Sequence, residues 1–324
     1  MTPLRSNKLL GIGFVLISAL ALSAQNVVLR LFFTESRLFG QIPFGGFVTP
    51  HLSNVVLLLS MRMAMMALLL AVLTPWLYPK TFRVLGALPK MPKLLGYVVA
   101  SGGCLFVGLI LLYTALSQVA AGIAISMFFI YPSITVLLAW LFFRQVPQGY
   151  QLWLMLVIFI GVVLTSMTTS AEPTTNPLIG GVCALAAGLA FGLYGIVAEL
   201  SLKGQSVLHP VPFSLCTFAI VASLASLTLL LLQDITIAPA VWPAVIGMTL
   251  FSAILTLMAY VLNNSGIGLI GASLTALLSA SAPALTALFA WWSLQEALQQ
   301  QQIFGIGLVT VGVATLSLKS RQGG

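Results

Sequence analysis

Polar side chains inside long apolar stretches are the residues of this chain that could bind a solute. They are few, and they carry amide, hydroxyl, phenol or guanidinium groups, each of which binds a ligand through hydrogen bonds. Nine are candidate cavity residues: Gln25, Asn26, Arg62, Ser126, Tyr131, Tyr194, Thr256, Ser279 and Ser281. Hydroxyl groups are also satisfied by backbone carbonyls within a helix, so their presence alone does not define a site.

Arg62 differs from the other candidates because it is charged. It lies about nine residues into an apolar stretch, and a charge near the middle of a bilayer costs about 2.5–3.5 kcal/mol. No acidic residue is predicted at the same depth to neutralise it. Two interpretations remain open. Arg62 is either a structural residue that reaches the interface or helix-end carbonyls, or it faces a hydrated cavity and binds an anionic group.

The sequence offers no constellation for catalysis or for a metal. It contains neither G-x-S-x-G nor H-E-x-x-H, and Glu199 and Glu296 lie near the ends of apolar stretches, where we expect them to be solvated. Three cysteines in three different stretches and two distant histidines give no ligand spacing, so we expect no disulfide, metal or cofactor. Residues 266–271, GIGLIG, match a dinucleotide-binding pattern, but no strand precedes them; we interpret them as a tight turn between helices.

The composition requires a lipid environment for the chain. Apolar residues make up 60% of it and charged residues only 6%, which is too few to cover a water-soluble domain. Lys and Arg collect in the cytoplasmic loops of membrane proteins, and this accounts for the net charge of +8 without a nucleic-acid partner. We therefore predict an all-α polytopic membrane protein with ten transmembrane helices, at 8–30, 54–78, 93–115, 119–142, 149–169, 177–199, 211–233, 240–262, 268–292 and 301–318.

The second half of the sequence repeats the first. At an offset of 151 residues, identical residues coincide: Pro132 with Pro283, Trp140 with Trp291, and Gly161 with Gly312. Nearer the start of each half, Leu9 aligns with Leu178 and Arg30 with Glu199. We predict two five-helix repeats, 1–170 and 178–324, joined by a polar linker at 171–177. Because five is odd, the second repeat is inverted relative to the first, as in many secondary transporters.

Two prolines lie in the middle of equivalent spans. Pro132 and Pro283 each remove an intrahelical hydrogen bond, so each helix should bend there or expose a carbonyl. A pair at equivalent depth favours a shared role in gating over coincidence.

Basic residues fall mainly on one side of the predicted spans. With a cytoplasmic N-terminus, ten lie in cytoplasmic segments: Arg5, Lys8, Lys80, Arg83, Lys90, Lys93, Arg144, Lys203, Lys319 and Arg321. Only Arg30 and Arg37 lie on the outer side, so both termini are predicted to be cytoplasmic. The long outer loop at 31–53 is rich in Gly, Pro and Phe. It is either an amphipathic flap over the mouth of the protein or a surface insertion without function.

Two segments carry a resemblance to a known family. They are AAGIAISMFFIYPSITVLLAWLFF followed by GVVLTS, and GASLTALLSASAPALTALFAWWSLQE followed by GIGLVTVGVATL. They resemble the drug/metabolite transporter superfamily, in particular its ten-helix EamA-type members, and Asn26 and Arg62 match polar positions of the first and second helices. The chain departs from the family pattern at Gln145 and Tyr131, where many members carry an acid.

The resemblance implies a secondary transporter. We predict a multi-pass protein of the bacterial plasma (inner) membrane that exports a small organic metabolite, of the amino acid or organic acid type, by alternating access. Its partners would be that solute and the lipid bilayer, with no nucleic acid, and a homodimer is left open. A non-transporting membrane scaffold and a lipid-handling, flippase-like protein remain as alternatives.

Overall fold

The computed structural model describes residues 3–49, 51–119, 121–166, 176–203, 207–232, 235–295 and 298–322. Most of the predicted linker, residues 171–175, lies outside these ranges, and so does Glu296. The described helices are α1 (Pro3–Phe33), α2 (Leu52–Leu77), α3 (Thr81–Ala87), α4 (Pro92–Gln118), α5 (Ala121–Phe128), α6 (Tyr131–Phe143), α7 (Gly149–Ser166), α8 (Pro177–Leu202), α9 (Pro210–Leu232), α10 (Trp242–Ile270), α11 (Ala272–Ser279), α12 (Ala282–Leu294) and α13 (Gln300–Gln322). A short hairpin, β1 (Ser36–Leu38) and β2 (Ile42–Phe44), separates α1 from α2.

Within the described ranges, ten apolar helical segments are long enough to cross a bilayer, which confirms the all-α polytopic prediction. Seven are single α-helices, one is α10 together with the short 3-10 helix Pro239–Val241 before it, and two are formed by the pairs α5–α6 and α11–α12. Because the direction alternates from span to span, the start of α1 and the end of α13 lie at one side of the membrane. We call this side the terminus face and the opposite side, which carries β1 and β2, the hairpin face.

The fourth and ninth spans are interrupted next to the paired prolines. Helix α5 ends at Phe128 and α6 begins at Tyr131, while α11 ends at Ser279 and α12 begins at Ala282. Pro132 and Pro283 are each the second residue of the new helix, a position at which the missing N–H has no intrahelical partner to lose. Each span is thus broken for two residues at the place where the sequence predicted a bend or an exposed carbonyl, while Ile130, Ala280 and Ser281 keep right-handed helical torsions.

Helix pairing follows a twofold pattern across the two halves. Helix α4 of the first half packs along α8 of the second. Their counterparts, α10 in the second half and α1 in the first, pack along each other in the same way. Helix α2 packs on its counterpart α9, and α7 packs on its counterpart α13. Each of these contacts joins one half to the other. If each helix is replaced by its counterpart, largely the same set of contacts is obtained.

Glycines allow close approach of the helices at two of these interfaces. A Cβ at Gly188 of α8 would lie 2.9 Å from the Phe128 carbonyl oxygen at the α5–α6 break. On α13, a Cβ at Gly305 would lie 2.6 Å from the Gly161 carbonyl oxygen of α7. Small residues give membrane helices their attraction by letting backbones approach, so these glycines have a packing role.

The GIGLIG segment is not a multi-residue turn. Helix α10 continues through Gly266 and Gly268 to Ile270, and Gly271 alone connects it to α11. Gly266 lies within the helix, and its bare Cα faces the Val15 side chain of α1, where a Cβ would collide. The one-residue connection is possible because Gly271 has a φ of +89°, which other residues rarely adopt.

The long loop after α1 is an ordered hairpin that lies against the helix ends. The Phe39 N–H donates to the Ser293 carbonyl of α12 at 2.7 Å, and the Phe39 ring packs edge-on against Trp292. The segment then turns back, with the Val48 N–H donating to the Phe32 carbonyl. The hairpin therefore joins the ends of α1 and α12 at the hairpin face.

Candidate functional site

A cavity of about 90 Å³ lies where helices from both halves meet. Its wall is contributed by α1, α6, α8, α10 and α11, and it extends from the α5–α6 and α11–α12 breaks towards Ala272. This volume has room for several water molecules. Its polar wall residues carry only neutral groups: Ser18, Tyr131, Thr135, Tyr194, Tyr260, Asn263, Thr275 and Ser279.

Three of the nine predicted binding residues line this cavity. Tyr131 is the first residue of α6 and Ser279 the last of α11, so both stand at helix interruptions. The Ser279 hydroxyl donates to the Asn263 Oδ1 atom at 3.1 Å. Tyr194 donates from its hydroxyl to the Asn264 Oδ1 atom at 2.8 Å, which fixes the phenol against the wall.

Besides Arg62, five predicted residues do not line the cavity, and four of these five use their hydrogen bonds elsewhere. Gln25 and Asn26 of α1 reach Ser252 and Thr286 of other helices. The hydroxyls of two others donate to carbonyls of their own helical turn: Thr256 to Ser252 and Ser281 to Leu278. The fifth, Ser126, is half-buried on α5, outside the cavity wall.

Arg62 lies beside the cavity rather than in its wall. Its side chain is 6% exposed, and one terminal guanidinium nitrogen donates to the Tyr113 hydroxyl at 3.0 Å. The Nε atom is buried and has no hydrogen-bond partner. The described residues provide no carboxylate within ion-pair distance of Arg62, while the Tyr260 phenol of the cavity wall lies within electrostatic range. The guanidinium is therefore a buried cation with a spare donor.

Two neighbouring asparagines were missed because the eighth span was predicted to end too early: Asn263 lines the cavity, and Asn264 accepts the hydrogen bond of the wall residue Tyr194. Asn263 and Asn264 precede GIGLIG, and the expected turn there placed them beyond the helix. Asn264 is fully buried and holds both Tyr194 and the Ser214 hydroxyl, at 2.8 and 2.9 Å. An amide pair in the last apolar turns of a span was the available signal.

Thr275 is another cavity residue that was not predicted from the sequence. It is part of the cavity wall, and its hydroxyl oxygen is buried without a hydrogen-bond partner. An unpaired buried hydroxyl is costly, so Thr275 is ready to bond a solute or water. Nothing in the sequence separates it from other helical threonines that bond to their own turn.

Glu199 is not solvated, contrary to the expectation from its place near a span end. It is 3% exposed, and its Oε2 atom accepts from the Ala272 N–H at 2.6 Å. The sequence could not reveal this contact because it depends on α11 starting beside the end of α8. Among the described residues, no group of three or more His, Cys, Asp or Glu side chains could hold a metal ion.

Comparisons with known proteins agree with this architecture. The model of the EamA-like transporter family matches residues 41–167 and again residues 178–318. The chain is 37% identical over 321 residues to the uncharacterized transporter sll1319 of Synechocystis sp. (strain ATCC 27184 / PCC 6803 / Kazusa), covering 98% of this chain and 96% of that protein. A protein of known crystal structure superposes with a TM-score of 0.65 at 17% identity over 98% of both chains, a likeness of fold.

Proposed function

The chain belongs to the EamA-like transporter family, and on that premise we propose that it is a secondary transporter that exports a small organic metabolite by alternating access. As members of the drug/metabolite transporter superfamily, proteins of this family are transporters and not enzymes. The substrate class, the direction and the mechanism are our proposal.

The observation that carries the proposal is the cavity between the halves. It lies beside both helix interruptions, and residues from both halves line it. In secondary transporters, broken helices near the midplane at the repeat interface form the solute site, and the repeats move against each other around it. The cavity is much smaller than the pockets that enclose small-molecule ligands, which are about 300–1,000 Å³. We therefore assign this structure to a closed or nearly closed state of the transporter.

We further propose that residues 1–170 and 178–324 are inverted repeats in a bacterial inner membrane with the terminus face in the cytoplasm. The twofold helix pairing and the two matches to the family model support the repeat. The excess of Lys and Arg at the terminus face supports the orientation.

The proposed cargo carries an anionic group, as amino acids and organic acids do. Arg62 supports this because it is a buried cation with an unpaired Nε atom near the cavity. A guanidinium offers a fork of donors that matches a carboxylate. Since the cavity wall itself is neutral, the anionic group would face Arg62, and the remainder of the solute would face the hydroxyl and aromatic groups.

Reconstitution into liposomes tests the function. The purified protein is incorporated into vesicles loaded with a mixture of amino acids and organic acids, and release is measured by mass spectrometry against protein-free vesicles. We expect release of one or a few anionic or zwitterionic solutes. Release of none, with movement of a labelled phospholipid instead, would favour a flippase; movement of neither would favour a scaffold.

A further inference from the structure

The two halves differ at one end of the molecule, and this difference bears on the proposed alternating access. Most helix interfaces occur twice, once for each half. Helix α11, however, packs on α6 and α8, whereas its counterpart α5 forms no comparable interface with the counterparts α12 and α1 among the described residues. Because α11 begins at the terminus face and α5 at the hairpin face, the molecule is closed more tightly at the terminus face.

Glu199 lies at the centre of the additional contact. Its Oε2 atom accepts from the N–H of Ala272, the first residue of α11, and its Oε1 atom lies 3.4 Å from Gln145 Nε2 and 3.5 Å from Lys203 Nζ. One carboxylate from α8 thus joins the start of α11 and the segment between α6 and α7. All three elements meet at the terminus-face end of the cavity, where Ala272 is a wall residue.

Gly271 makes this arrangement possible. A Cβ at this position would lie 3.1 Å from the Glu199 Oε1 atom and 3.3 Å from Lys203 Nζ, in addition to the strain of its positive φ. The carboxylate therefore approaches a backbone that has no side chain in its way.

The first half has no equivalent of this carboxylate. In the repeat alignment Glu199 corresponds to Arg30, and a guanidinium has no acceptor for a backbone N–H. The start of a helix carries unpaired N–H groups and a partial positive charge, which a carboxylate stabilises and an arginine does not. The chemistry of this contact is thus confined to the terminus face.

We propose that Glu199 is the latch of the gate at the terminus face, holding α11 against α8 and the α6–α7 connection while the cavity is closed to that side. The latch rests on the proposed alternating access. Opening to the terminus face requires α11 to leave α8, and this removes the Ala272 N–H from a carboxylate that is almost fully buried. Glu199 is therefore a positioning residue that sets how readily the gate opens, without contacting the solute.

Cysteine accessibility tests the latch. In a background without Cys104, Cys183 and Cys216, Ala276→Cys places a thiol in the cavity wall, and a membrane-impermeant maleimide is applied to vesicles of either orientation. We expect slow labelling from the terminus face. Glu199→Gln should raise that rate about tenfold, the factor that follows from losing one charge-assisted hydrogen bond.

Two further variants change residues that lie beside the Glu199 carboxylate. Gly271→Ala pushes a methyl group against the carboxylate and should raise the rate in the same direction, while Lys203→Met, at a 40% exposed side chain, should change it little. Glu35→Gln is the matched control, because this carboxylate is exposed at the hairpin face. If Glu199→Gln does not insert, Gly271→Ala decides the question.

The latch is overturned if Glu199→Gln and Gly271→Ala both label from the terminus face at the rate of the parent. The measurement needs no transport. A protein that moves no solute in liposomes but shows faster labelling on Glu199→Gln contradicts the transporter proposal and retains the gate. Transport with unaltered labelling contradicts only the latch.

Discussion

Arg144 and Gln295 adopt the same left-handed backbone conformation at the same point of the two halves. Their φ angles are +54° and +55°, and each follows directly after the second helix of a broken span. The next helices also start alike: the N–H of Gln148 is accepted by the Gln151 side chain, and that of Gln299 by the Gln302 side chain, both at 3.0 Å. The correspondence between the halves therefore reaches to individual backbone torsions and caps.

The orientation in the membrane is testable by labelling at two loops. Cysteines replacing Gln148 and Glu172, one at a time in the cysteine-free background, should react with an impermeant maleimide from opposite sides. We expect Glu172→Cys to label on intact cells and Gln148→Cys only after permeabilisation, because Lys and Arg gather on the side of Gln148. Equal labelling of both on intact cells would contradict the five-plus-five arrangement.

The paired prolines should matter for transport more than for insertion. Pro132→Ala restores an N–H that can bond the Phe128 carbonyl and so allows α5 and α6 to join, and Pro283→Ala does the same for α11 and α12. We expect each variant to insert normally and to transport several-fold more slowly in liposomes. Pro75→Ala, at an exposed proline inside the unbroken α2, is the control. Unchanged transport in both variants would make the prolines packing features only.

Arg62 should determine the recognition of an anionic group. Arg62→Lys keeps the charge but loses the fork, so we expect a raised KM; Arg62→Gln should lower kcat/KM by about tenfold or more. Exposed Arg37 on β1 provides the control, Arg37→Gln, with transport like the parent. The assay is uptake normalised to the amount of protein in the membrane. An Arg62→Gln protein that transports as well as the parent after this correction would be evidence that Arg62 is structural.

Two glycines of α13 test whether the close contact between α7 and α13 stabilises the protein. A Cβ at Gly305 would meet the backbone of α7 at 2.6 Å, whereas a Cβ at Gly307 would meet nothing within 4 Å. Gly305→Val should therefore lower the free energy of unfolding by about 1–3 kcal/mol, and Gly307→Val should leave it nearly unchanged. Thermal unfolding followed by size-exclusion chromatography in detergent measures the difference. Equal melting temperatures would contradict the close α7–α13 contact.

His209 predicts a pH dependence of stability. It lies before α9, stacked on Tyr78 with ring centroids 4.1 Å apart, and burial lowers the pKa of its imidazole below the usual value of 6.5. A lowered pKa means that the unfolded chain takes up the proton first, so the stability is present above the usual pKa and is lost as the pH falls from that value through the lowered pKa of the folded protein. Melting temperature should fall as the pH drops below about 6.5. His209→Phe keeps the stacked ring and should give a flatter profile; parallel profiles would contradict the assignment.

The sequence predicted those features that depend on local pattern. Apolar length located the ten spans, and the positions of Pro132 and Pro283 located the two interruptions, although not their extent. The cavity was predicted in part: Tyr131, Tyr194 and Ser279 line it, whereas Asn263 was missed with the end of α10. The glycines of GIGLIG were interpreted as a turn, but Gly266 lies inside α10, where the close approach of Val15 on α1 leaves no room for a Cβ.

The environment of a charged residue could not be predicted, because it is set by contacts distant in sequence. Glu199 is buried by a helix start 73 positions further along the chain. Arg62 is bonded by a phenol 51 positions away. Hydropathy assigns each residue a depth in the membrane but not a neighbour, and the neighbour decides whether a charge is solvated, capped or left with a spare donor.

The docked hairpin also makes the molecule accessible to reagents that recognise shape. Membrane helices offer little surface for an antibody or nanobody to bind, whereas Ser36–Phe44 forms a folded hairpin outside the spanning helices. Phe39 of this hairpin bonds to Ser293, and Gly46, which follows the hairpin, bonds to Leu31. An antibody raised against the hairpin together with the end of α12 would bind only when the two lie in the relative position seen here. Such a reagent would report on, and could freeze, the relative position of the first and ninth spans.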